Sequence, residues 1–147
     1  MAADITFHLA DIDNHPFYAN EKKYAAWLEK VATSENKSIA SITYVFCTDE
    51  YLLDINIRYL GHDYYTDIIT FPYQEGMNIK SDMFISLERV KENAAEFNVS
   101  FENELKRVMV HGLLHLMGYG DKTVSDAEKM RSKEDEYLLF FDEAFSF

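Results

Sequence analysis

The spacing of hydrophobic and polar residues predicts the elements in the first part of the chain. Apolar and polar residues alternate in the segment DITFHLA, which is the period of a half-buried strand. Apolar residues at helical spacing then predict a helix from about Phe17 to Thr33. Its inward-facing side chains are expected to be Tyr24, Trp27, Leu28 and Val31. The next segment, SIASITYVFC, is rich in β-branched and aromatic residues and therefore predicts a buried strand.

The middle of the chain is predicted to contain one helix and two strands. Thr48 or Asp49 can cap the helix, which is expected to reach Gly61. The strands are the segments DIITF and DMFISL. Pro72 closes the first of them, because proline cannot donate a hydrogen bond to a sheet.

The last third of the chain has helical patterning. The segment LERVKENAAEF predicts one helix, and Ser100 can cap a second helix that begins near Phe101 and ends at Gly118. Thr123 is expected to begin the last helix, with Asp126 in the partner position of a capping box. The order of elements predicts an α+β fold in which one small mixed sheet of about four strands packs with about five helices.

Length and composition bound the class of protein. The 147 residues, 48% of them hydrophobic, suit a single globular domain that covers residues 1–147. The beginning of the chain lacks the pattern of a signal peptide, and no segment has the length of a membrane span, so we expect a cytoplasmic protein that does not bind membranes. Cys47, the single cysteine, lies in an apolar strand and is predicted to be a buried thiol.

The net charge of -12 argues against broad, non-specific binding to nucleic acid. The candidates for a local basic patch are Lys22, Lys23, Lys30, Arg58, Lys106 and Arg107. Most of them are expected to be solvated helix charges. Arg107 precedes His111 by four residues, so it shares a helix face with it and is placed to meet a phosphate. The alternatives are that Arg107 points to solvent or pairs with a helix glutamate such as Glu104.

The segment HGLLHLMGYGD has the spacing of a metal site. His111 and His115 lie one helical turn apart and can share one ion, Gly118 lets the chain reverse, and Asp121 can return as a third ligand. Three protein ligands leave a position for water, as in catalytic zinc sites. The alternative is a pair of helix histidines satisfied by ordinary hydrogen bonds, with Gly118 only ending the helix.

Two segments carry a resemblance to a known family. HGLLHLMGYGD resembles the signature H-G-x-L-H-L-x-G-Y-x-H of the YbeY family of metal-dependent endoribonucleases. Upstream, INIRYLGHDYYTDIITFP is similar to that family's segment L-N-x-x-Y-R-x-x-D-x-x-T-D-V-L-S-F-P. The residues that match it are Asn56, Tyr59, Asp63, Thr66, Asp67, Phe71 and Pro72.

The resemblance implies a cytoplasmic, single-strand-specific endoribonuclease that acts in the maturation of small-subunit ribosomal RNA and in ribosome quality control. It implies one zinc ion, or another divalent transition metal, held by His111, His115 and Asp121 on a central helix. The implied substrate is ribosomal RNA and not DNA. Because the chain is acidic, recognition is expected to need a basic cleft near the metal or a partner such as a ribosomal protein or a ribosome-associated GTPase.

The sequence departs from the family pattern at three positions. Asp121 replaces a histidine, which keeps a zinc ligand and adds a negative charge. Leu60 replaces an arginine that would be the natural clamp for a scissile phosphate, and Ser81 replaces a glycine. Arg58 can substitute for that arginine only if the helix is irregular there, because residues two apart face different ways.

The sequence offers several candidates for the general base and does not select one of them. Zinc peptidases carry a glutamate after the first histidine of the helix, and this chain has Gly112 there. Phosphodiester cleavage does not need that glutamate, because a metal activates water and stabilises charge on phosphate. Candidate catalytic residues besides the metal ligands are Arg58, His62 and Asp67. The two rival interpretations are a zinc metallopeptidase-like hydrolase and a non-catalytic, ribosome-associated metal-binding protein.

Overall fold

The protein forms an α+β fold with one mixed sheet, as the pattern of its sequence predicts. The computed structural model describes residues 3–13, 16, 20–73 and 78–144. Within those ranges the chain has four strands and five α-helices, with one π-helical turn. The elements are β1 (Asp4–Leu9), α1 (Glu21–Ser34), β2 (Ser38–Cys47), α2 (Asp49–Ile55), the π turn (Asn56–Leu60), β3 (Ile68–Pro72), β4 (Asn78–Ser86), α3 (Leu87–Phe97), α4 (Phe101–Leu116) and α5 (Val124–Ala144).

The sheet has the strand order β1-β2-β4-β3. The first three of these strands are parallel, and β3 pairs with β4 in the antiparallel direction at one edge. In that last pair Ile69 lies opposite Phe84, and Thr70 lies opposite Met83. Because side chains alternate along a strand, β3 turns Ile68 and Thr70 toward α4 and turns Ile69 and Phe71 to the opposite face.

The main core lies between the sheet and the long helices. Its largest fully buried side chains include Trp27 of α1, Tyr44 of β2 and Met109 of α4. The indole of Trp27 donates a hydrogen bond to the main-chain oxygen of Tyr137 in α5, at 3.0 Å. The predicted inner face of α1 is confirmed, since all four of its residues are buried. The helix that carries the predicted metal-binding motif is therefore packed into this core.

The ends of several elements differ from the prediction. The predicted start of the first helix at Phe17 lies outside the described residues, and the helix is described from Glu21. Strand β4 begins at Asn78, four residues before the predicted start. It ends where the hydroxyl of Ser86 accepts a hydrogen bond from the main-chain N–H of Arg89, and this cap begins α3. The predicted caps of the last two helices are confirmed at Ser100 and Thr123.

The helix predicted to run to Gly61 is interrupted. It is α-helical only to Ile55 and then widens into the π turn, and Gly61, the residue after the turn, has a φ of +69°. The side chain of Asn56 is buried at the start of this turn and donates a hydrogen bond to the main-chain oxygen of Tyr64, at 2.9 Å. Of the described helices, none is both long enough and apolar enough to cross a membrane.

Candidate metal centre

Helix α4 presents His111 and His115 on one face, one turn apart. Their rings lie edge to face with centroids 4.5 Å apart, and both side chains are partly exposed. The helix ends two residues before Gly118, whose φ of +104° reverses the chain. The reversal brings Asp121 back over the same helix face, as the spacing of the motif predicts.

The three side chains converge on a small volume. Nε2 of His111 lies 3.4 Å from Oδ2 of Asp121, and Nε2 of His115 lies 3.2 Å from the same oxygen. The ligand atoms of the three residues all lie within 4.8 Å of one another. Two imidazole nitrogens and one carboxylate oxygen are donors that zinc and related divalent metals accept, and three protein ligands leave a coordination position open. The residues present therefore fit a metal ion.

Glu134 of α5 completes the centre, and the sequence analysis missed it. Its Oε2 atom lies 2.6 Å from Nδ1 of His111, and its side chain is almost fully buried. Burial opposes a charged imidazole, but the hydrogen bond and the charge of Glu134 together raise the pKa of His111. A carboxylate on Nδ1 fixes the tautomer that leaves Nε2 free for a metal. A sequence signal existed, because Glu134 interrupts the apolar face of α5 between Met130 and Leu138.

Arg107 forms ion pairs with two carboxylates of α5 and does not face an open phosphate position. Its guanidinium donates to Glu134 at 2.9 Å and to Asp135 at 2.7 Å, and its side chain is mostly buried. The prediction that Arg107 shares the face of His111 is correct. The alternative that Arg107 pairs with a helix glutamate is confirmed, but the glutamate is Glu134 of the neighbouring helix and not the suggested Glu104.

Lys106 differs from the expectation of a solvated helix charge. It is buried, its Nζ lies 3.5 Å from Asp142, and the same atom lies 4.1 Å above the ring of Phe141. Its role is in the packing of α4 against α5 and not in a basic patch at the metal centre.

An open cavity of about 580 Å³ lies beside the three ligand residues. Two of the candidate catalytic residues, His62 and Asp67, line it. The hydroxyl of Tyr64 lies 2.9 Å from Nδ1 of His62, and the two rings stack. Burial raises the pKa of Asp67, although the positive charge of His111 opposes this. The cavity thus combines the candidate metal ligands with two titratable side chains.

The third candidate, Arg58, is not brought to this cavity. It lies on the exposed side of the π turn and pairs with Asp54 at 3.0 Å. The helix is irregular there, which was the condition for Arg58 to reach the site, but the irregularity instead places Leu60 in the cavity lining. Among the residues that the structure describes, neither lysine nor arginine lines this cavity.

Gly112 marks the closest approach of α4 to the sheet. A Cβ atom added there would lie 2.7 Å from Cδ1 of Ile68 and 2.8 Å from Sδ of Met83. A glutamate, which zinc peptidases have at this position, would therefore have to displace the ends of these two side chains. Ser81, the other departure from the family pattern, is buried and donates its hydroxyl to the main-chain oxygen of Phe71 at 3.0 Å.

Comparison with known proteins identifies similar chains. A family model described as Endoribonuclease YbeY matches residues 10–142. A protein of Flavobacterium johnsoniae named Endoribonuclease YbeY is 56% identical over 122 residues, which cover 83% of this chain and 88% of that protein. A Bacteroides fragilis protein of the same name is 47% identical over 118 residues, covering 80% of this chain and 85% of the relative. The solution structure of TM1509 from Thermotoga maritima superposes with a TM-score of 0.63 at 26% identity, covering 91% of this chain and 86% of that one.

Proposed function

Because the chain belongs to the Endoribonuclease YbeY family, we propose that it is a metal-dependent endoribonuclease, specific for single strands, that processes small-subunit ribosomal RNA and serves ribosome quality control. The observation that carries the metal-dependent part is the convergence of His111, His115 and Asp121 beside an open cavity. The names of the relatives support the nuclease part. The role in ribosomal RNA maturation is the most specific part of the proposal, and it follows from the family resemblance.

The proposed metal ligands are Nε2 of His111, Nε2 of His115 and a carboxylate oxygen of Asp121. A bound zinc ion would act as a Lewis acid toward a phosphoryl oxygen and would lower the pKa of water. Glu134 holds His111 in the tautomer that such an ion needs. The added negative charge of Asp121, relative to a histidine, makes a bound metal a weaker Lewis acid.

Proton transfer in this proposal falls to the cavity side chains. Asp67 is partly buried and its pKa is raised, so its carboxyl group holds a proton to higher pH than an exposed aspartate does. The Tyr64 hydroxyl restrains the ring of His62 at the same cavity. Arg58 has no part in this scheme, since its side chain is exposed and paired with Asp54.

The proposal also covers the location, the substrate and the partners of the protein. We infer that the chain acts as a single domain in the cytoplasm and that its substrate is RNA and not DNA. Its charge of -12 disfavours simple attraction to a polyanion, so recognition of RNA depends on a local basic site near the metal or on a partner such as a ribosomal protein or a ribosome-associated GTPase. The peptidase alternative lacks its general base, because the packed Gly112 occupies that position.

A direct test compares substrates and variants. Protein purified without a metal-affinity tag is loaded with zinc and incubated with single-stranded ribosomal RNA fragments, a duplex RNA, single-stranded DNA and unstructured casein. We expect internal cleavage of the single-stranded RNA alone, loss of that cleavage with a chelator, and loss in His115→Ala. His8→Ala is the matched control, because His8 lies on β1 and its side chain is hydrogen-bonded only to Thr6 among the described residues. Cleavage of casein, or RNA cleavage that survives both the chelator and His115→Ala, would contradict the proposal.

A further inference from the structure

A second cavity, of about 350 Å³, lies on the α5 side of the metal centre. His111 and Asp121 line both this cavity and the larger one. The second cavity is otherwise lined mainly by α4 and α5, and Arg131 contributes to it from α5. The two cavities therefore flank the ligand residues, and a polymer bound at the metal centre can continue from one into the other.

Among the described residues that line the second cavity, Arg131 is the cation that has no carboxylate partner. Arg107, which lines the same cavity, is held by Glu134 and Asp135, and Arg58 is held by Asp54 away from the site. Within the described ranges, the guanidinium of Arg131 has neither a hydrogen bond nor an ion pair, and the residue is exposed. A guanidinium that no carboxylate holds can bind an anion through paired hydrogen bonds.

The acidic groups in this cavity do not cancel that charge. Glu134 forms an ion pair with the guanidinium of Arg107, and its other oxygen lies 2.6 Å from Nδ1 of His111. Glu104 is buried, and burial together with the charge of Asp67 raises its pKa, although Arg107 and Arg131 oppose the shift. The larger cavity offers no lysine or arginine from the described residues, so Arg131 is the cation available to a strand that crosses the centre.

We propose that Arg131 and the second cavity form a phosphate subsite, which binds a backbone phosphodiester of single-stranded RNA next to the one at the metal centre. This inference rests on the proposed nuclease function and adds a substrate contact to it. The contact is to the backbone, so it strengthens binding equally for different base sequences. It also explains how a chain with a charge of -12 can hold a polyanion locally.

Binding and cleavage of a fluorescein-labelled oligouridine dodecamer test the subsite. Affinity of the zinc-loaded protein is measured by anisotropy over a range of salt concentrations, with RNA integrity checked on a denaturing gel. The variants are Arg131→Ala, Arg131→Lys and the control Lys129→Ala, which removes the same charge from the same helix. Lys129 lies over the ring of Tyr119 and lines neither cavity.

For Arg131→Ala we expect a dissociation constant raised about tenfold. The slope of log affinity against log salt should become shallower by about 0.7, which corresponds to one lost contact with single-stranded nucleic acid. Arg131→Lys should restore the slope but only part of the affinity, because lysine lacks the planar fork. Thermal unfolding of each variant checks that the fold is intact.

The experiment distinguishes a failure of the phosphate subsite from a failure of the proposed nuclease function. If the wild type cleaves RNA and Arg131→Ala binds it as Lys129→Ala does, the subsite is wrong and the nuclease function stands. If the wild type neither binds nor cleaves RNA, the proposed function is wrong and the subsite falls with it.

Discussion

Nδ1 of His111 and Oε2 of Glu134 lie 2.6 Å apart, which joins the metal-binding helix α4 to helix α5. The same carboxylate accepts a hydrogen bond from Arg107, so one buried glutamate is shared by a proposed metal ligand and a structural cation. A metal ligand on α4 is thereby oriented by the packing of α5. We therefore expect the stability of the fold and the affinity for a metal ion to be coupled.

Replacing the carboxylate tests that coupling. Glu134→Gln keeps the shape of the side chain and removes its charge, so the imidazole of His111 becomes less basic. We expect the affinity for zinc to fall about 10- to 100-fold. Competition with a chromophoric chelator measures it. Asp135→Asn is the matched control, because it removes the other carboxylate on Arg107 and leaves the His111 contact in place. Zinc affinity of Glu134→Gln equal to that of Asp135→Asn would contradict the role of Glu134.

The third ligand is tested by changing Asp121 in two directions. Asp121→Ala removes the oxygen that lies near both histidine nitrogens, so we expect zinc affinity and stoichiometry to fall. Asp121→His replaces one zinc ligand by another and should still bind about one ion per chain. Elemental analysis of the tag-free variants measures the stoichiometry, and competition with a chromophoric chelator measures the affinity. If Asp121→Ala binds zinc as tightly as the wild type, Asp121 is not a ligand, and His62 in the neighbouring cavity becomes the candidate.

Arg107 is expected to matter for stability. Arg107→Ala leaves the buried Glu134 without its cation, and we expect a loss of about 2–3 kcal/mol in the free energy of unfolding. Urea denaturation followed by two spectroscopic probes measures this loss. Arg58→Ala serves as control, because its exposed pair with Asp54 is worth only about 0.3–0.5 kcal/mol. Equal effects of the two substitutions would show that the contact of Arg107 with Glu134 does not stabilise the fold.

Glu35 is hydrogen-bonded to Tyr119, which lies in the loop that leads to Asp121. Its carboxylate accepts hydrogen bonds from the hydroxyls of Tyr119 and Tyr137 and from Nζ of Lys133. Partial burial opposes ionisation, but these three donors outweigh it and hold the pKa of Glu35 below its usual 4.5. A depressed carboxyl pKa stabilises the fold above the unfolded-state value, and this contribution disappears as the pH falls through the folded-state value.

We therefore expect Glu35→Gln to lower the free energy of unfolding by about 1–3 kcal/mol at neutral pH. The difference from the wild type should shrink as the pH falls below 4.5. Urea denaturation at a series of pH values measures it. Glu136→Gln is the control, because Glu136 is exposed and contacts only Lys133 among the described residues, at 3.6 Å. A difference that stays constant with pH would show that the Glu35 carboxylate is not the source of the stabilisation.

Much of the fold was predictable because it follows from local patterns. The β-branched and aromatic composition of β2 was sufficient to predict a buried strand, and the helical spacing along α1 was sufficient to predict its buried face. Hydroxyl caps at Ser100 and Thr123 were predictable for the same reason, since a cap depends on residues only three positions apart. The π turn was not, because it accompanies a buried Asn56 whose amide bonds to a residue beyond the turn.

The candidate site also has one part that local sequence predicts and another part that depends on distant residues. Four-residue spacing on a helix and a reversal at Gly118 bring His111, His115 and Asp121 together, so the sequence by itself determined the proposed ligand set. Only the tertiary structure decided which partners surround it. Glu134 lies 23 residues from His111 along the chain, and its contact depends on how α5 packs against α4. That packing also commits Arg107 and leaves Arg131 open, since no local spacing specifies which of several carboxylates meets a given cation.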